Sequence, residues 1–556
     1  MIEAVRIFLI RILMILAQVS ATQNAPAYGL FPADDFRVTT GACGDCATIP
    51  QALWFFKNET IAVPRVGHPI AGYDPQLRAI VDLQRWNALT PPGSARDYPA
   101  LVWVGSPQVI ERAWLDPRGE QLKTVREVSG FALVPRLAAN RAYYNADSTA
   151  FFSRRELRLR GQKVTSQKAN QEENSFVARS IWPSDFRLDP QAPLRPIAAR
   201  PQAIREFVRS EPSGGAQSAF ATQLLWQRDP AAAARRAGRP LIGILLNGAQ
   251  GDDDEAHGGH FGLLTGRVGE QGQMHDWLIA NYYALDSESE KGIIAAMLPL
   301  DSYLADLNSG QAWYRPSYML VATLRAERTA VHLGSALARV FNQFYRHQFV
   351  YQHAAANCTG ISVSTLRTIG WQVPVLGPVS WWKAIAGLPV FAVTTGSLTK
   401  GKAMFDYLTE DQTRLLPALA FEQASADLLQ LVSGEATRAL TPYEELLRQD
   451  VEEILLVRIP QLPSSRAWGS YPVAGIDEYH SRVPQDPAKQ QLVPVGPRPF
   501  PANLKDPTSP RFKPLRSDYA VAGYATGLLV LGGFVLRLLW RRRSAGLKPV
   551  SKQRDE

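Results

Sequence analysis

Residues 252–262 read DDDEAHGGHFG, and residues 357–359 read NCT. The first stretch is an acidic, glycine-rich turn that brings His257 and His260 onto an apolar run. The second places a lone cysteine, Cys358, where a helix is expected to begin. A thiol nucleophile needs a base and a local field that favours the thiolate. Together the two stretches therefore predict a cysteine–histidine site.

The segment that contains both stretches is predicted to be an antiparallel meander followed by helices. Residues 240–246 (PLIGILL) form a continuous apolar run that ends at an Asn-Gly pair, as a buried strand does. Apolar residues at helical spacing predict a helix from about His332 to Arg346. Asn357 is a good N-cap, so Cys358 should lie in a first helical turn, where the helix dipole favours the thiolate. The further strand candidates are residues 260–268, 274–285, 293–300 and 317–324.

The predicted chemistry assigns one role to each of a few polar side chains. Cys358 is the nucleophile, and His260, at the start of a strand candidate, is the base. His275 begins the next strand candidate, and in a hairpin these two positions can be close. We therefore expect His275 or Asp276 to orient His260 and complete the set of nucleophile, base and orienter.

The order of histidine first and Asn-Cys-Thr second resembles that in circularly permuted papain-like thiol enzymes. These include permuted NlpC-type peptidases, the lecithin:retinol acyltransferase group and the Lnb-type bacterial lipoprotein acyltransferases. Residues 259–263 (GHFGL) are similar to their histidine strand, and the resemblance covers roughly residues 240–371. It implies an α+β fold with a permuted papain-like core of antiparallel sheet plus helices. It also implies acyl transfer or hydrolysis through a thioester, without a cofactor, with Asn357 and Thr359 beside the substrate or oxyanion.

Three other functions are compatible with the same residues. His257 and His260, with Asp254 and His275, offer nitrogen and oxygen ligands for a zinc hydrolase. The body could instead be a peptidoglycan peptidase of the same thiol class. It could also be a non-catalytic envelope scaffold, in which case Cys358 is buried and unreactive.

Both ends of the chain predict export and membrane attachment. Residues 1–21 have the charged start, apolar run and small residues of a signal peptide. Residues 518–540 are long and apolar enough to form a single transmembrane helix, and the basic tail 541–556 should stay cytoplasmic. In a bacterium the body would then face the periplasm from the inner membrane. Membrane lipid or lipoprotein is the first substrate expected. Cys43 and Cys46 are expected to form a disulfide there.

Net charge and the boundaries between segments complete the prediction for the 556 residues. The formal net charge is +9, but no RNA-binding or zinc-finger pattern is present, so nucleic acid is not expected as a partner. The basic residues at 154–163 are predicted to form a solvated surface. Residues 22–215 are expected to form an N-terminal accessory domain and connector, with irregular structure over 181–212. Residues 216–459 form the catalytic domain with a helical extension, which includes helices over about 409–434 and from Thr441 through Leu455. Residues 460–517 are a proline-rich tether.

Overall fold

The computed structural model describes the greater part of the chain between residues 102 and 463. The described residues are 36–40, 60–64, 102–105, 108–125, 131–135, 144–168, 171–210, 219–231, 235–248, 259–283, 295–307, 310–313, 315–345, 351, 356–463, 478 and 481. The predicted signal peptide, the Cys43–Cys46 pair, the acidic run with His257, most of the tether, the predicted span and the basic tail lie outside these residues.

A closed five-stranded barrel occupies the region for which the sequence predicted only an accessory domain. Its strands follow the order β4-β5-β6-β8-β7, and a short helix, α1 (Ala146–Phe152), precedes β7. Leu122, Leu159 and Phe176 are fully buried and fill its interior. The strands are β4 (Gln108–Leu115), β5 (Gln121–Thr124), β6 (Phe131–Pro135), β7 (Leu157–Lys168) and β8 (Gln171–Pro183). The predicted irregular stretch 181–212 begins with the end of β8 and contains a helix, so that prediction was wrong in part.

A seven-stranded antiparallel sheet forms the second β layer, in the order β13-β12-β11-β10-β14-β15-β9. Its central strands β10 and β14 are buried at every position, which explains their continuous apolar sequences. The strands are β9 (Ala221–Gln227), β10 (Pro240–Asn247), β11 (His260–Arg267), β12 (Leu278–Asn281), β13 (Ala296–Pro299), β14 (Ser317–Leu324) and β15 (Val451–Ile459). Beyond β13 the sheet continues through β3 (Val102–Gly105), β2 (Thr60–Pro64) and β1 (Phe36–Thr40).

Nine further helices lie in the described ranges. They are α2 (Pro201–Val208), α3 (Leu300–Ala305), α4 (Arg328–Tyr345), α5 (Cys358–Ile369), α6 (Trp381–Thr395), α7 (Leu398–Thr409), α8 (Gln412–Leu415), α9 (Pro417–Ser433) and α10 (Pro442–Asp450). The fold is therefore mixed α+β, as predicted. None of the helices described in this part of the chain is long and apolar enough to cross a membrane.

Two predicted helices differ from the structure. The predicted helix 409–434 is instead the end of α7 followed by α8 and α9, because Pro417 occupies the first position of a new helix. The helix that begins after Thr441 has the predicted capping box, but it ends at Asp450. Residues 451–459 are a buried strand between β14 and β9, so the helical assignment of Val451 to Leu455 was wrong.

Buried ion pairs connect the barrel to the helix that follows β13. Arg158 and Arg160 of β7 are 2% and 0% exposed, and both donate hydrogen bonds to Asp301 of α3. Both also lie 3.1 Å from the same oxygen of Asp276. The prediction of a solvated basic surface was therefore wrong for these two arginines, because carboxylates from distant parts of the sequence neutralise them.

The chain forms two compact units. The barrel, the sheet and the helices around them belong to the first. In the second, the described residues are 380–409, which form the helical hairpin of α6 and α7.

Candidate active site

Cys358 is the first residue of α5, as the sequence predicted. The Asn357 side chain caps the helix: its oxygen accepts a hydrogen bond from the Gly360 N–H at 2.8 Å, and its nitrogen donates to the Leu415 carbonyl at 2.9 Å. The first backbone hydrogen bond of the helix runs from Ile361 N–H to the Asn357 carbonyl. Asn357 therefore fixes the position of Cys358 through both ends of its amide.

His260 is positioned by the hairpin of β10 and β11. It is the first residue of β11 and pairs directly with Asn247, the last residue of β10. Gly259 precedes it with a φ of 90°, and a Cβ at this position would lie 2.4 Å from the Asn247 carbonyl oxygen. Only glycine fits this close turn, which explains the glycine directly before the histidine.

The structure brings Cys358 and His260 together. Both are almost fully buried, with 4% and 5% of their surface exposed. Burial raises the pKa of the Cys358 thiol, but the charge of His260 and a hydrogen bond with it lower the pKa, and so do the Phe261 N–H and the Thr359 hydroxyl. The net result is a pKa of about 6. The site therefore favours the thiolate, the form that acts as a nucleophile.

The start of α5 also provides backbone donors at the position of the thiol. The first N–H groups of a helix have no partner within the helix, and here they belong to Cys358 and its neighbour Thr359. The Thr359 hydroxyl lies 3.8 Å from Cys358 Sγ. Thr359 is fully buried and Asn357 is bound at both ends, so the backbone N–H groups are the better candidates for holding an oxyanion.

Further polar residues lie near His260, and no local sequence signal had pointed to them. The Tyr303 ring of α3 is 6.2 Å from the His260 ring, and its hydroxyl donates a hydrogen bond to Asn247. Asn247 in turn donates to Ser317 Oγ at 2.7 Å. Burial raises the pKa of Tyr303, the positive charge of Arg315 opposes this shift, and Cys358 adds to it. Tyr303 is thus a neutral hydrogen-bond donor next to the cysteine–histidine pair.

The predicted orienters, His275 and Asp276, lie at the other end of the hairpin. The observed register pairs Leu263 of β11 with Ala280 of β12. Extended in both directions, it sets His260 level with Tyr283 and His275 level with Val268. Eight residues of strand separate the two levels, which corresponds to about 26 Å. His275 instead lies 3.4 Å from Asp276. Burial raises the pKa of Asp276, but Arg158, His275 and Arg160 outweigh it and hold that pKa below its usual range. Neither residue can orient His260 in this arrangement.

The same separation bears on the alternative of a zinc site. His260 and His275 cannot share one ion across the length of the hairpin, while Asp254 and His257 lie outside the described residues. No group of three or more His, Cys, Asp or Glu side chains with the arrangement of a metal site occurs in the described ranges.

The Nε2 atom of His260 is buried and has no hydrogen-bond partner among the described residues. This nitrogen is therefore available to bind a proton or to form a hydrogen bond with a substrate. An activated thiolate, an adjacent imidazole and helix-start N–H groups define the class of site used for thiol-dependent attack on a carbonyl. Comparisons of the chain with protein-family models, curated proteins and solved structures found no match.

Proposed function

We propose that the protein is a cysteine-dependent acyltransferase or amide/ester hydrolase that forms a thioester on Cys358. The observation that carries the proposal is the contact between Cys358 and His260, which brings the thiol pKa to about 6. The resemblance to permuted papain-like enzymes agrees with it, because histidine at a strand start precedes cysteine at a helix start in both. The antiparallel order of β12-β11-β10-β14 beside α5 is compatible with that core.

The site residues account for each bond change in such a reaction. The Cys358 thiolate attacks the carbonyl carbon, and the carbonyl π electrons move to the oxygen, which the N–H groups at the start of α5 stabilise. When the tetrahedral intermediate collapses, protonated His260 gives its proton to the leaving alcohol or amine. An incoming water, alcohol or amine then transfers a proton to His260, attacks the thioester and displaces the thiolate.

The proposed substrate is a lipid or lipoprotein in the bacterial envelope. The signal peptide and transmembrane helix predicted at residues 1–21 and 518–540 would hold the enzyme at the outer face of the inner membrane. A site buried as deeply as Cys358 suits a narrow acyl or peptide chain. The thiol chemistry itself would be the same for transfer to an acceptor and for hydrolysis.

The alkylation rate of Cys358 as a function of pH tests the proposal in the folded full-length chain. Mass spectrometry of the Cys358 peptide separates this thiol from Cys43 and Cys46. We expect the rate to reach half its maximum near pH 6, following the thiolate fraction. In His260→Ala the midpoint should rise toward the reference thiol value of about 8.5.

His275→Ala is the matched control, because it removes a histidine that the structure places far from the thiol. It should leave the midpoint unchanged. A Cys358 that reacts only after unfolding, or a midpoint that His260→Ala does not move, would mean that the cysteine is structural. A thiol that passes this test is then offered a phospholipid with a fluorescent acyl chain, and a hydroxylamine-sensitive adduct on Cys358 is the expected product.

A further inference from the structure

The helical hairpin of α6 and α7 exposes an apolar face on α6. Trp382 and Val393 are each 82% exposed, and Ile385 and Val390 are 49% and 61% exposed. With Ala386 and Pro389 these residues recur at helical spacing along α6, so they form one continuous stripe on one side of it. We call this stripe the α6 apolar face. Contiguous exposed apolar surface of this kind marks an interaction site.

The opposite side of α6 packs against α7 and is formed by small residues. Ala384 and Ala392 are the buried residues of α6. A Cβ on Gly401 of α7 would lie 2.6 Å from the Leu388 carbonyl oxygen and 2.8 Å from the Ala392 Cβ. The two helices therefore pack closely, and the larger apolar side chains remain on the side that α7 does not cover.

The charge of this region selects a lipid surface as the occupant. Residues 380–409, which form the hairpin, include three lysines, Lys383, Lys400 and Lys402, and one acidic residue, Asp406, which pairs with Lys402. All three lysines are exposed. Lysines that flank an apolar helix face attract anionic lipid headgroups, and adjacent tryptophans such as Trp381 and Trp382 favour the boundary between headgroups and acyl chains.

The length of α6 indicates that it would lie in the membrane interface and would not cross the bilayer. Its 15 residues extend about 22 Å, which is too short to cross the hydrocarbon core of a bilayer, about 30 Å thick. Pro389 within the helix and Gly396 at its end interrupt it further. A helix of this size with an apolar face can lie in the plane of the interface.

From these observations we infer that the α6–α7 hairpin is a membrane-contact element that inserts the α6 apolar face into the headgroup–acyl boundary of an anionic bilayer. This inference is independent of the chemistry at Cys358 and of the predicted span 518–540. It assigns a second membrane contact to the chain, besides the predicted span. In the sequence, eleven residues separate α6 from α5, the helix that carries the candidate nucleophile.

A fluorescent probe on the apolar face tests the inference in the full-length chain reconstituted in vesicles. The variant Val393→Cys, in a Cys358→Ser background, is labelled with the environment-sensitive dye NBD. The matched control is Glu435→Cys, an exposed position in the turn after α9. The labelled background without either new cysteine provides the blank for Cys43 and Cys46.

We expect blue-shifted emission at position 393 and strong quenching by a doxyl group on the lipid acyl chain, with neither effect at position 435. Vesicles of phosphatidylcholine with phosphatidylglycerol should give more quenching than phosphatidylcholine alone. The double change Lys383→Glu and Lys400→Glu should abolish that difference, since each lysine near an anionic surface contributes about fivefold to lipid affinity.

Three results would overturn the inference. Emission at position 393 that is unshifted and unquenched would mean that the face remains in water. A blue shift that depends on protein concentration without doxyl quenching would mean that a second copy of the chain covers it. A concentration-independent blue shift without quenching would mean that another segment of the same chain covers it.

Discussion

At the scale of single residues, Asn357 fixes the position of the thiol at the start of α5. Its oxygen caps α5, and its nitrogen bonds to the Leu415 carbonyl. We predict that Asn357→Asp keeps the cap but loses the donor, and places a negative charge beside Cys358. The thiol pKa should rise, since a nearby like charge disfavours the thiolate. The loss of the buried hydrogen bond should reduce the free energy of unfolding by about 1–3 kcal/mol.

The alkylation profile of Cys358 and a denaturant titration measure the two effects. Asn145→Asp is the matched control, because Asn145 caps α1 of the barrel in the same way. It should leave the Cys358 profile unchanged. If Asn357→Asp also leaves the profile unchanged, then the N-cap does not influence the thiol.

The two residues at the centre of the candidate site could be predicted from the sequence because their signals are local. Asn357 indicates a helix start, and Gly259 indicates a tight turn before His260. The surrounding residues could not be predicted, because Tyr303 and Asn247 reach the site through sheet register and tertiary packing. Sheet register also separates the predicted orienter His275 from His260, because the loop between β11 and β12 carries it to the far end of the hairpin.

At the scale of elements, the β10–β11 hairpin depends on Gly259. We predict that Gly259→Ala destabilises the protein more than Gly238→Ala, although both glycines have a positive φ, 90° and 73°. The backbone cost of alanine is of the order of 1–2 kcal/mol at each position. At Gly238 nothing lies within 4 Å of the added Cβ, whereas at Gly259 it meets the Asn247 carbonyl. The clash should add about 1–3 kcal/mol.

Denaturant titration of the two variants measures the difference, and the Cys358 alkylation rate at neutral pH shows whether His260 has moved. The rate should fall in Gly259→Ala and not in Gly238→Ala. Equal destabilisation with equal alkylation rates would contradict a steric role for this turn.

The strands of the sheet differ in how well their sequences predict a strand. A continuous apolar run predicted β10, and β14 was one of the further strand candidates; both strands are buried at every position. β15 was misassigned because it follows a helix directly and carries Glu452 and Glu453. Both are buried, and Glu453 accepts two hydrogen bonds from Arg236 at 2.9 and 3.1 Å. A charge in a central strand is tolerated only with such a partner, and its partner is more than 200 positions away in the sequence.

At the scale of the whole molecule, the barrel and the sheet are joined by charges rather than only by apolar packing. Asp301 of α3, which follows β13, bonds to both Arg158 and Arg160 of the barrel, and all three side chains are at most 2% exposed. The pattern of apolar residues holds no information about this connection. Because the connection depends on charged residues far apart in the sequence, the sequence did not predict that the barrel and the site belong to one compact unit.

The last prediction follows from the cost of leaving buried charge without a partner. Asp301→Ala removes the carboxylate that two buried guanidinium groups share, and Asp276 alone cannot replace it because it already contacts both. We expect a loss of about 3–5 kcal/mol in the free energy of unfolding. Glu445→Ala is the control: it removes an exposed pair with Arg448, and such pairs contribute about 0–1 kcal/mol. Denaturant titrations of both variants give the comparison. Because the groups that shift the pKa of Cys358 are His260, Phe261 and Thr359, none of which lies on α3, the alkylation profile of folded Asp301→Ala should keep its midpoint. Similar small losses in the two variants would show that apolar contacts, and not the shared carboxylate, hold the barrel to the sheet.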